Sequence, residues 1–151
     1  TQEWMIKDVK KPSSSISTVK HNFGQHTFKW PGKVEWEEVT FTVVDPAIPN
    51  LDAAKLFVEK LVNSGYLTPT SLKNSLNFMT KSKSVTALGV PQIVQLNSDQ
   101  TQELEVWKLH NAFLTKLDFG ELNYEGDGDL VTISMSIAYD FPILNGSKLL
   151  G

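Results

Sequence analysis

Residues 130–140 read Leu-Val-Thr-Ile-Ser-Met-Ser-Ile-Ala-Tyr-Asp, and this stretch indicates the fold more clearly than any other. Apolar and small or polar residues alternate along it, which is the period of a half-buried β-strand. Thr132, Ser134 and Ser136 therefore lie on the face opposite the apolar residues. The apolar face comprises Val131, Ile133, Met135, Ile137 and Tyr139.

The same alternation recurs along the chain and predicts a protein made mostly of strands. In Glu38–Val44, β-branched and aromatic residues favour a pleated surface. Short spacings between the strands predict antiparallel hairpins. Further strands are predicted at Trp4–Val9, Ser17–His21, Gln25–Trp30, Gln92–Asn97, Glu103–Leu109 and Phe113–Asp118. The predicted sheet core is Val39, Phe41, Val43, Trp107, Leu109, Ile133, Met135, Ile137 and Tyr139.

One amphipathic helix interrupts the strands. It is predicted to begin after Pro49, with Asn50 or Asp52 as its cap, and to end at Gly65. Residues 68–91 read as a long irregular connection with one short helical turn. The predicted fold is one domain, residues 1–151, mainly β with one flanking helix, built as two packed antiparallel sheets or a flattened β-barrel. The helix is predicted to pack on the sheet through Leu51, Ala54, Phe57, Val58, Leu61 and Val62, and the short turn holds Leu72, Leu76 and Met79.

Two glycine-containing segments are predicted to be turns. Pro31-Gly32 is the predicted tip of a hairpin from Gln25 to Val39. Large aromatic residues around an exposed tip are typical of an interface rather than of a lone domain. Glu125–Asp129 is interpreted as a plain turn rather than a calcium loop, because the terminal Glu of the calcium pattern is missing. The predicted interface residues are Phe28, Trp30, Pro31, Gly32 and Trp36.

Composition narrows the possible functions. The chain has 151 residues, 40% of them hydrophobic, and no cysteine, which excludes thiolate metal sites, thiol nucleophiles and disulfides. No run of eighteen apolar residues occurs, and Thr1–Trp4 lacks the order of a secretory signal. We therefore expect no membrane insertion of the monomer.

Charge is divided unevenly along the chain. All fourteen basic residues are lysines, so the guanidinium fork that reads guanine edges is absent and sequence-specific DNA binding is not expected. Residues 1–83 carry eleven lysines against eight acids (+3), and residues 84–151 carry three against nine (−6). The division is interpreted as solvated surface, or alternatively as opposite faces that attract when copies stack.

The motifs of catalysis are not found in the sequence. His21, His26 and His110 have no metal-ligand spacing, and neither a phosphate-binding loop nor a serine elbow occurs. Glu35, Glu37 and Glu38 adjoin a predicted turn, where exposed charge is the default. We therefore predict a protein that is not an enzyme, with no catalytic residue, cofactor or metal site.

Several stretches together resemble one protein family. Residues 30–45 read Trp-Pro-Gly-Lys-Val-Glu-Trp-Glu-Glu-Val-Thr-Phe-Thr-Val-Val-Asp, and the segments before and after follow in a set order. In pattern and order they resemble contractile-tail tube proteins, the phage tail tube and its relatives in pyocin-like and type six secretion machines. That family usually has a further strand before the region matching Met5–Pro12. The other matching segments are the helix at Asp52–Leu61, Val106–Phe113, Leu117–Tyr124 and Leu130–Asp140.

The resemblance implies a function in assembly. Family members form hexameric rings that stack into the inner tube of a contractile tail, through which DNA passes. The expected partners are copies of the chain itself, sheath, tape-measure, baseplate and tail-terminator proteins, and DNA bound without sequence preference. The expected location is the virion tail, assembled in the host cytoplasm. The polar face of Thr132, Ser134 and Ser136 is the predicted wall of the wet channel.

Two other interpretations remain open. Within the same class, the chain is a baseplate tube initiator or a secretion-system tube subunit. In a different class, it is a monomeric β-barrel module that binds nucleic acid or another ligand. Lysines lie close to aromatic residues in the relevant segment, as such a module requires. These residues are Phe23, Phe28, Trp30 and Trp36 with Lys20, Lys29 and Lys33.

Overall fold

The computed structural model describes residues 6–45, 52–69, 78–122 and 131–145, and over these ranges it confirms a mainly β protein. The strands pair into antiparallel sheets, and two helices accompany them. The strands are β1 (Ile6–Val9), β2 (Ser14–Phe23), β3 (His26–Trp36), β4 (Val39–Val44), β5 (Gln92–Leu96), β6 (Glu103–His110), β7 (Phe113–Asp118), β8 (Thr132–Ala138) and β9 (Phe141–Leu144). The helices are α1 (Ala53–Asn63) and α2 (Lys81–Leu88).

The strands form three open sheets. A four-stranded sheet has the order β1-β4-β8-β7, a three-stranded sheet has the order β5-β6-β9, and β2 and β3 pair alone as a hairpin. The predicted pair of packed antiparallel sheets is thus observed. The flattened barrel that was the alternative is not formed, because none of the sheets in the described ranges closes on itself.

Two apolar clusters form the core on one face of the four-stranded sheet. The first lies under α1, where Ala53 packs with Ile133 and Met135. The second lies between the sheets, where Val39 and Ile137 meet Leu109. Nearly all of the predicted core residues are buried, as the alternation required. Phe41, which packs against both clusters, and Trp107 are half-buried instead.

Helix α1 confirms the predicted helix but only part of its predicted packing face: Ala54 and Phe57 pack against the first cluster, whereas Val58 and Val62 are exposed. The Asp52 side chain accepts a hydrogen bond from the Lys55 amide at 3.2 Å and caps the N-terminus. Gly65 follows the last turn with φ +106°, and a Cβ there would lie 2.9 Å from the Phe78 carbonyl oxygen. Glycine is therefore required both by the backbone conformation and by the close approach of residues 78–79.

Three sequence predictions need correction or fall outside the described ranges. The segment 68–91 is not wholly irregular, since α2 lies within it with Thr80 as its cap. Because α2 begins with Lys-Ser-Lys-Ser, its sequence lacks the regularly spaced apolar residues from which an amphipathic helix is predicted. Strand β9 was missed because the predicted last strand extended through Asp140, where the chain in fact reverses to pair with β6. Leu51, Leu72, Leu76 and Glu125–Asp129 lie outside the described residues. Neither helix in the described ranges is long and apolar enough to cross a bilayer.

Candidate assembly surfaces

The β2–β3 hairpin is the longest feature among the described residues. Its strands have 10 and 11 residues, which at about 3.3 Å per residue corresponds to a ribbon of about 33 Å. Phe23 pairs with His26, so the tip is the two-residue loop Gly24-Gln25, and Gly24 has φ +59°. The predicted tip at Pro31-Gly32 is therefore wrong. Those residues lie inside β3, where proline is tolerated because the ribbon has only one partner for each strand.

Pro31-Gly32 instead forms part of a β-bulge. Ile16 pairs with Val34 and Thr18 with Pro31, which leaves one extra residue in β3 opposite Ser17. The Ser17 hydroxyl fills this irregularity and accepts a hydrogen bond from the Lys33 amide at 2.9 Å. At Pro31-Gly32, where the sequence predicted a turn, the strand therefore continues through a bulge.

One face of the hairpin is apolar and aromatic. Val19 lies directly opposite Trp30, His21 opposite Phe28, and Phe23 opposite His26, so these cross-strand pairs share one face. Phe23 is 73% exposed and Trp30 is 61% exposed. We call Val19, Phe23, Phe28 and Trp30 the apolar arm face. Large side chains of this kind are typically covered in the functional state of a protein.

Trp36 does not belong to the apolar arm face. It lies at the base of the hairpin, half-buried, with its ring centroid 6.4 Å from that of Tyr139. Of the predicted interface residues, Phe28 and Trp30 are thus together on the exposed face, Pro31 and Gly32 lie at the bulge, and Trp36 contacts the core. The predicted interface did not include Val19 and Phe23. The alternation of Val19, His21 and Phe23 along β2 is the sequence signal that places them on the same face as Phe28 and Trp30.

The base of the hairpin is fastened to the body of the protein by side chains of the β1–β2 connection. The Glu37 carboxylate accepts hydrogen bonds from the Ser13 hydroxyl at 2.7 Å and from the Lys10 ammonium at 3.2 Å. The Glu37 amide donates to the Ser13 carbonyl at 2.9 Å. Lys11 forms an ion pair with Glu105 of β6 at 2.7 Å. These contacts set the direction in which the hairpin leaves the sheets.

Electrostatics at the base follow from these partners. The hydrogen bond from Ser13, and then that from Lys10, holds the pKa of the Glu37 carboxyl below its ordinary value of 4.5. Lys11 and then Trp107 lower the pKa of Glu105 in the same way. Burial raises the pKa of the Tyr139 hydroxyl, with the negative charge of Glu37 adding to the effect. Both carboxylates therefore remain charged and bound to their lysines at neutral pH.

The second candidate surface is the polar face of the four-stranded sheet. Thr42 pairs with Ser134 and Thr40 with Ser136, so these hydroxyl groups share one face. The Thr40 and Ser136 hydroxyl oxygens are 3.2 Å apart. Ser136 is only 8% exposed, whereas Ser134 and Thr132 are half-buried. Asp118 and Lys116 of β7 lie directly opposite Ser134 and Ser136, respectively, at the edge of the sheet.

A cleft of about 370 Å³ lies between α1, α2 and β7. Its two lysines already have structural partners: Lys60 donates to the Ala87 carbonyl at 2.9 Å, and Lys81 forms an ion pair with Asp140 at 2.7 Å. Its Ser64 hydroxyl donates to the Leu61 carbonyl at 2.6 Å. These polar groups therefore contribute to the packing of the helices and of the turn after β8.

Other groups of chemical interest are few in the described ranges. No three His, Asp or Glu side chains there are grouped to hold a metal ion. Two buried polar atoms, His110 Nε2 and the Tyr139 hydroxyl oxygen, have no hydrogen-bond partner in that part of the chain. The His110 ring stacks on Phe141 with centroids 5.0 Å apart. The two large surfaces, rather than a pocket, are therefore the candidate functional regions.

Comparison of the structure with solved structures finds similar chains in several assemblies, among them the following three. The tube-terminating cap of the anti-feeding prophage gives a TM-score of 0.64 at 17% identity, covering 92% of this chain and 78% of that chain. The PVC sheath/tube terminator of an extracellular contractile injection system gives 0.63 at 18%, covering 92% and 84%. The PVC sheath-tube complex in the extended state gives 0.63 at 21%, covering 92% and 79%.

At these identities the likeness establishes the fold. The predicted resemblance to contractile-tail tube proteins is thus confirmed in three dimensions over most of the chain. The similar chains come from injection machines and not from enzymes. A scan against protein-family models finds no match, and neither does a search of curated proteins.

Proposed function

We propose that this chain is a structural subunit of a contractile tail, in which six copies form a ring and the rings stack into the inner tube. The observation that carries the proposal is the apolar arm face, a row of exposed aromatic side chains on a ribbon that the two sheets do not cover. The fold shared with tube and tube-terminator proteins of injection machines supports it.

The shape of the hairpin explains how one chain makes a polymer. Removing apolar area from water stabilises association by about 25 cal/mol per Å². Because the ribbon leaves the body in one direction, its apolar face meets a different surface on the neighbouring copy. Such a heterologous contact repeats and generates rings or filaments instead of a closed dimer. The fastened base keeps that direction the same in every copy.

The polar face of the four-stranded sheet is the proposed lining of the tube. Threonine and serine hydroxyls present a hydrated wall that neither attracts nor repels phosphates strongly, so DNA passes without being held. In this proposal Thr132 and Ser134 face the lumen together with Thr40 and Thr42. Ser136 is only 8% exposed, and its hydroxyl oxygen, 3.2 Å from that of Thr40, supports this wall from within the sheet. DNA ejection then needs no sequence-specific contact.

The partners and the location follow from the same proposal. The outer surface of the tube contacts the sheath, the lumen encloses the tape-measure protein and then DNA, and the two ends meet the baseplate and the tail terminator. Assembly takes place in the host cytoplasm, and the product is the virion tail. The chain acts by its shape and its contacts, and it catalyses no reaction.

The terminator or the initiator of the tube is the second candidate. Two of the similar structures named above are terminators, and their TM-scores lie within 0.01 of that of the sheath-tube complex. A terminator or baseplate initiator forms one ring and stops, whereas a tube subunit, of a phage or of a secretion machine, continues to stack. The number of rings in an assembly therefore separates the candidates.

Sedimentation and negative-stain imaging of the purified protein test the proposal. A tube subunit gives stacked rings whose length increases with protein concentration, and a terminator or initiator gives single rings. The variant Phe23→Ser with Phe28→Ser should remain folded, because both side chains are exposed, and should lose the assemblies. A monomer at all concentrations would overturn the proposal and favour the ligand-binding module.

A further inference from the structure

The face of the hairpin opposite the apolar arm face carries two lysines directly across from each other. Lys20 pairs with Lys29, and both side chains are exposed. Like charges at directly opposite positions of a strand pair destabilise it. Within the described ranges of the chain Lys10, Lys11 and Lys81 form ion pairs with carboxylates, and neither Lys20 nor Lys29 does. The pair is therefore an unfavourable feature of the isolated subunit.

The sequence of the hairpin leaves this charge without local compensation. From Ser14 to Val34 there is no Asp or Glu, whereas three lysines and two histidines occur there. The neighbours of the pair on the same face are neutral: Thr27 donates to the Asn22 side-chain oxygen at 2.9 Å, and Thr18 lies opposite Pro31. We call Lys20 and Lys29 the lysine pair.

We propose that the lysine pair binds carboxylates on a second copy of this chain, so that the hairpin is held on both faces when the subunits assemble. This inference rests on the proposed function and deepens it. One face of the ribbon is held by apolar contact, and the other by ion pairs with a further neighbour. The cross-strand repulsion is relieved only in the assembly.

The chain itself supplies the complementary charge. Residues 84–151 carry nine acids against three lysines, a net charge of −6, opposite in sign to the hairpin. Several of those acids are exposed without an ion pair among the described residues, including Asp99, Glu103 and Glu121. Complementary charge of this kind guides docking and sets its orientation.

A nucleic acid fits the lysine pair less well. Affinity for DNA comes largely from Lys and Arg contacts to phosphates, and even a protein that makes about six to ten of them loses most of that affinity as salt rises to physiological levels. The lysine pair offers two cations without arginine, on a chain whose net charge is −3. Two ammonium groups are enough for two carboxylates but not for a phosphate backbone.

The variant Lys29→Glu tests the inference because folding and assembly should change in opposite directions. It places a carboxylate directly across from Lys20, which stabilises the isolated hairpin. The same change cancels the positive charge of this face, so the protein concentration needed for assembly should rise by about tenfold or more. Lys55→Glu, an exposed change of the same charge on α1, is the matched control and should assemble as the wild type does.

Cross-linking with a carbodiimide identifies the partner. The reagent forms an amide bond between a lysine amine and a carboxylate where the two groups are already in contact. Peptide mass spectrometry of the assembled protein should therefore show Lys20 or Lys29 bonded to an Asp or Glu of another copy. Raising the salt from about 0.05 to about 0.5 M should also weaken assembly, since exposed ion pairs are screened. The inference is overturned, while the proposed function stands, if Lys29→Glu assembles as the wild type does and the assembled wild type shows no such cross-link.

Binding to DNA is the competing outcome. If Lys29→Glu assembles as the wild type does but loses measurable binding to a duplex in filter retention, the lysine pair serves nucleic acid and the inference is wrong. If the wild type forms no assembly under any condition, the proposed function fails, and the inference fails with it. These outcomes can be told apart because three different quantities are measured: the assembly of Lys29→Glu, the binding of Lys29→Glu to DNA, and the assembly of the wild type.

Discussion

The amide nitrogen of Lys33 donates a hydrogen bond of 2.9 Å to the hydroxyl oxygen of Ser17, across the bulge of the long hairpin. The contact is possible because Gly32 has no side chain: a Cβ there would lie 2.3 Å from the Ser17 hydroxyl oxygen and 2.9 Å from its carbonyl oxygen. The bulge increases the local twist and so re-aims the outer half of the ribbon.

Gly32→Ala should therefore distort the hairpin more than Gly24→Ala does. The new methyl group meets backbone atoms of Ser17 that cannot move without breaking the ribbon, whereas nothing lies within 4 Å of the corresponding position at Gly24. The cost at Gly24 is about 1–2 kcal/mol for its positive φ alone. Hydrogen exchange of the hairpin amides measures the difference. Equal protection in the two variants would show that the bulge tolerates a side chain.

Ile133→Ala should lower the free energy of unfolding by about 2–5 kcal/mol, since it removes a fully buried side chain from the cluster under α1. Ile16→Ala makes the same chemical change at a position that is 58% exposed and should cost about 0.5 kcal/mol or less. Urea unfolding at concentrations below assembly compares the two. Similar midpoints for both variants would mean that the apolar phase of β8 is wrongly assigned.

The success of the sequence interpretation follows from the period of the strands. In β8, every second residue is buried against α1 or the other sheet, so alternation alone identifies Ile133, Met135 and Ile137 as core. Helix α1 was equally clear because its cap and its terminal glycine are local signals. Neither feature depends on contacts between distant parts of the chain.

The errors concern contacts that the local sequence does not encode. Trp30-Pro31-Gly32 has the composition of a turn, but the register of Ser17 with the bulge makes it part of a strand. Trp36 has the same exposed-aromatic pattern as Trp30 and differs only because Tyr139, about a hundred residues later, packs against it. Val106 is buried although it lies three residues from Leu109 and therefore on the opposite face of β6, which the predicted core did not include.

Stability should fall in acid as Asp140 loses its charge. Its carboxylate accepts hydrogen bonds from Lys81 at 2.7 Å and Asn111 at 2.8 Å, and these hold its pKa below the ordinary value of 3.8. A carboxyl whose pKa is lower in the folded state stabilises the protein above pH 3.8, and this contribution is lost as the pH falls through the folded-state pKa.

Asp140→Asn should consequently be less stable at neutral pH and should show a shallower loss of stability in acid. Urea midpoints at several pH values below and above 3.8 provide the measurement. Glu59→Gln, which removes an exposed carboxylate of α1, is the control and should keep the wild-type acid profile. An unchanged profile in Asp140→Asn would show that the contact between α2 and the turn after β8 has no effect on stability.

Lysine substitution on the polar face should distinguish its two serines. Ser134→Lys should fold, because residue 134 is half-buried and lies directly opposite Asp118, which offers a counter-charge. Ser136→Lys should unfold the subunit or prevent its expression, because residue 136 is 8% exposed and lies opposite Lys116. In the proposed tube, Ser134→Lys adds positive charges to the lumen and slows DNA passage in an ejection assay. Ejection at the wild-type rate from intact tubes would place this face elsewhere.

Alanine substitution of the two tryptophans of the hairpin should affect different properties, assembly for Trp30 and folding for Trp36. Trp30→Ala removes a side chain that is 61% exposed on the apolar arm face, so the subunit should melt normally but lose about 2 kcal/mol or more per contact in assembly, as at an interface hot spot. Trp36→Ala removes a half-buried ring packed on Tyr139 and should lower the melting temperature of the subunit itself.

Sedimentation and imaging of both variants, beside their melting curves, decide whether the arm works as proposed. The two rings lie in one strand and the substitutions are chemically identical, so only their surroundings differ. A folded Trp30→Ala that no longer stacks supports the arm as the bridge between copies. Tubes of normal length and stability from Trp30→Ala refute it, and an unfolded Trp30→Ala shows instead that this ring covers its own sheet. Because the arm is fastened at its base by Glu37 and Lys11, loss of stacking in Trp30→Ala would then reflect the missing ring and not a change in direction.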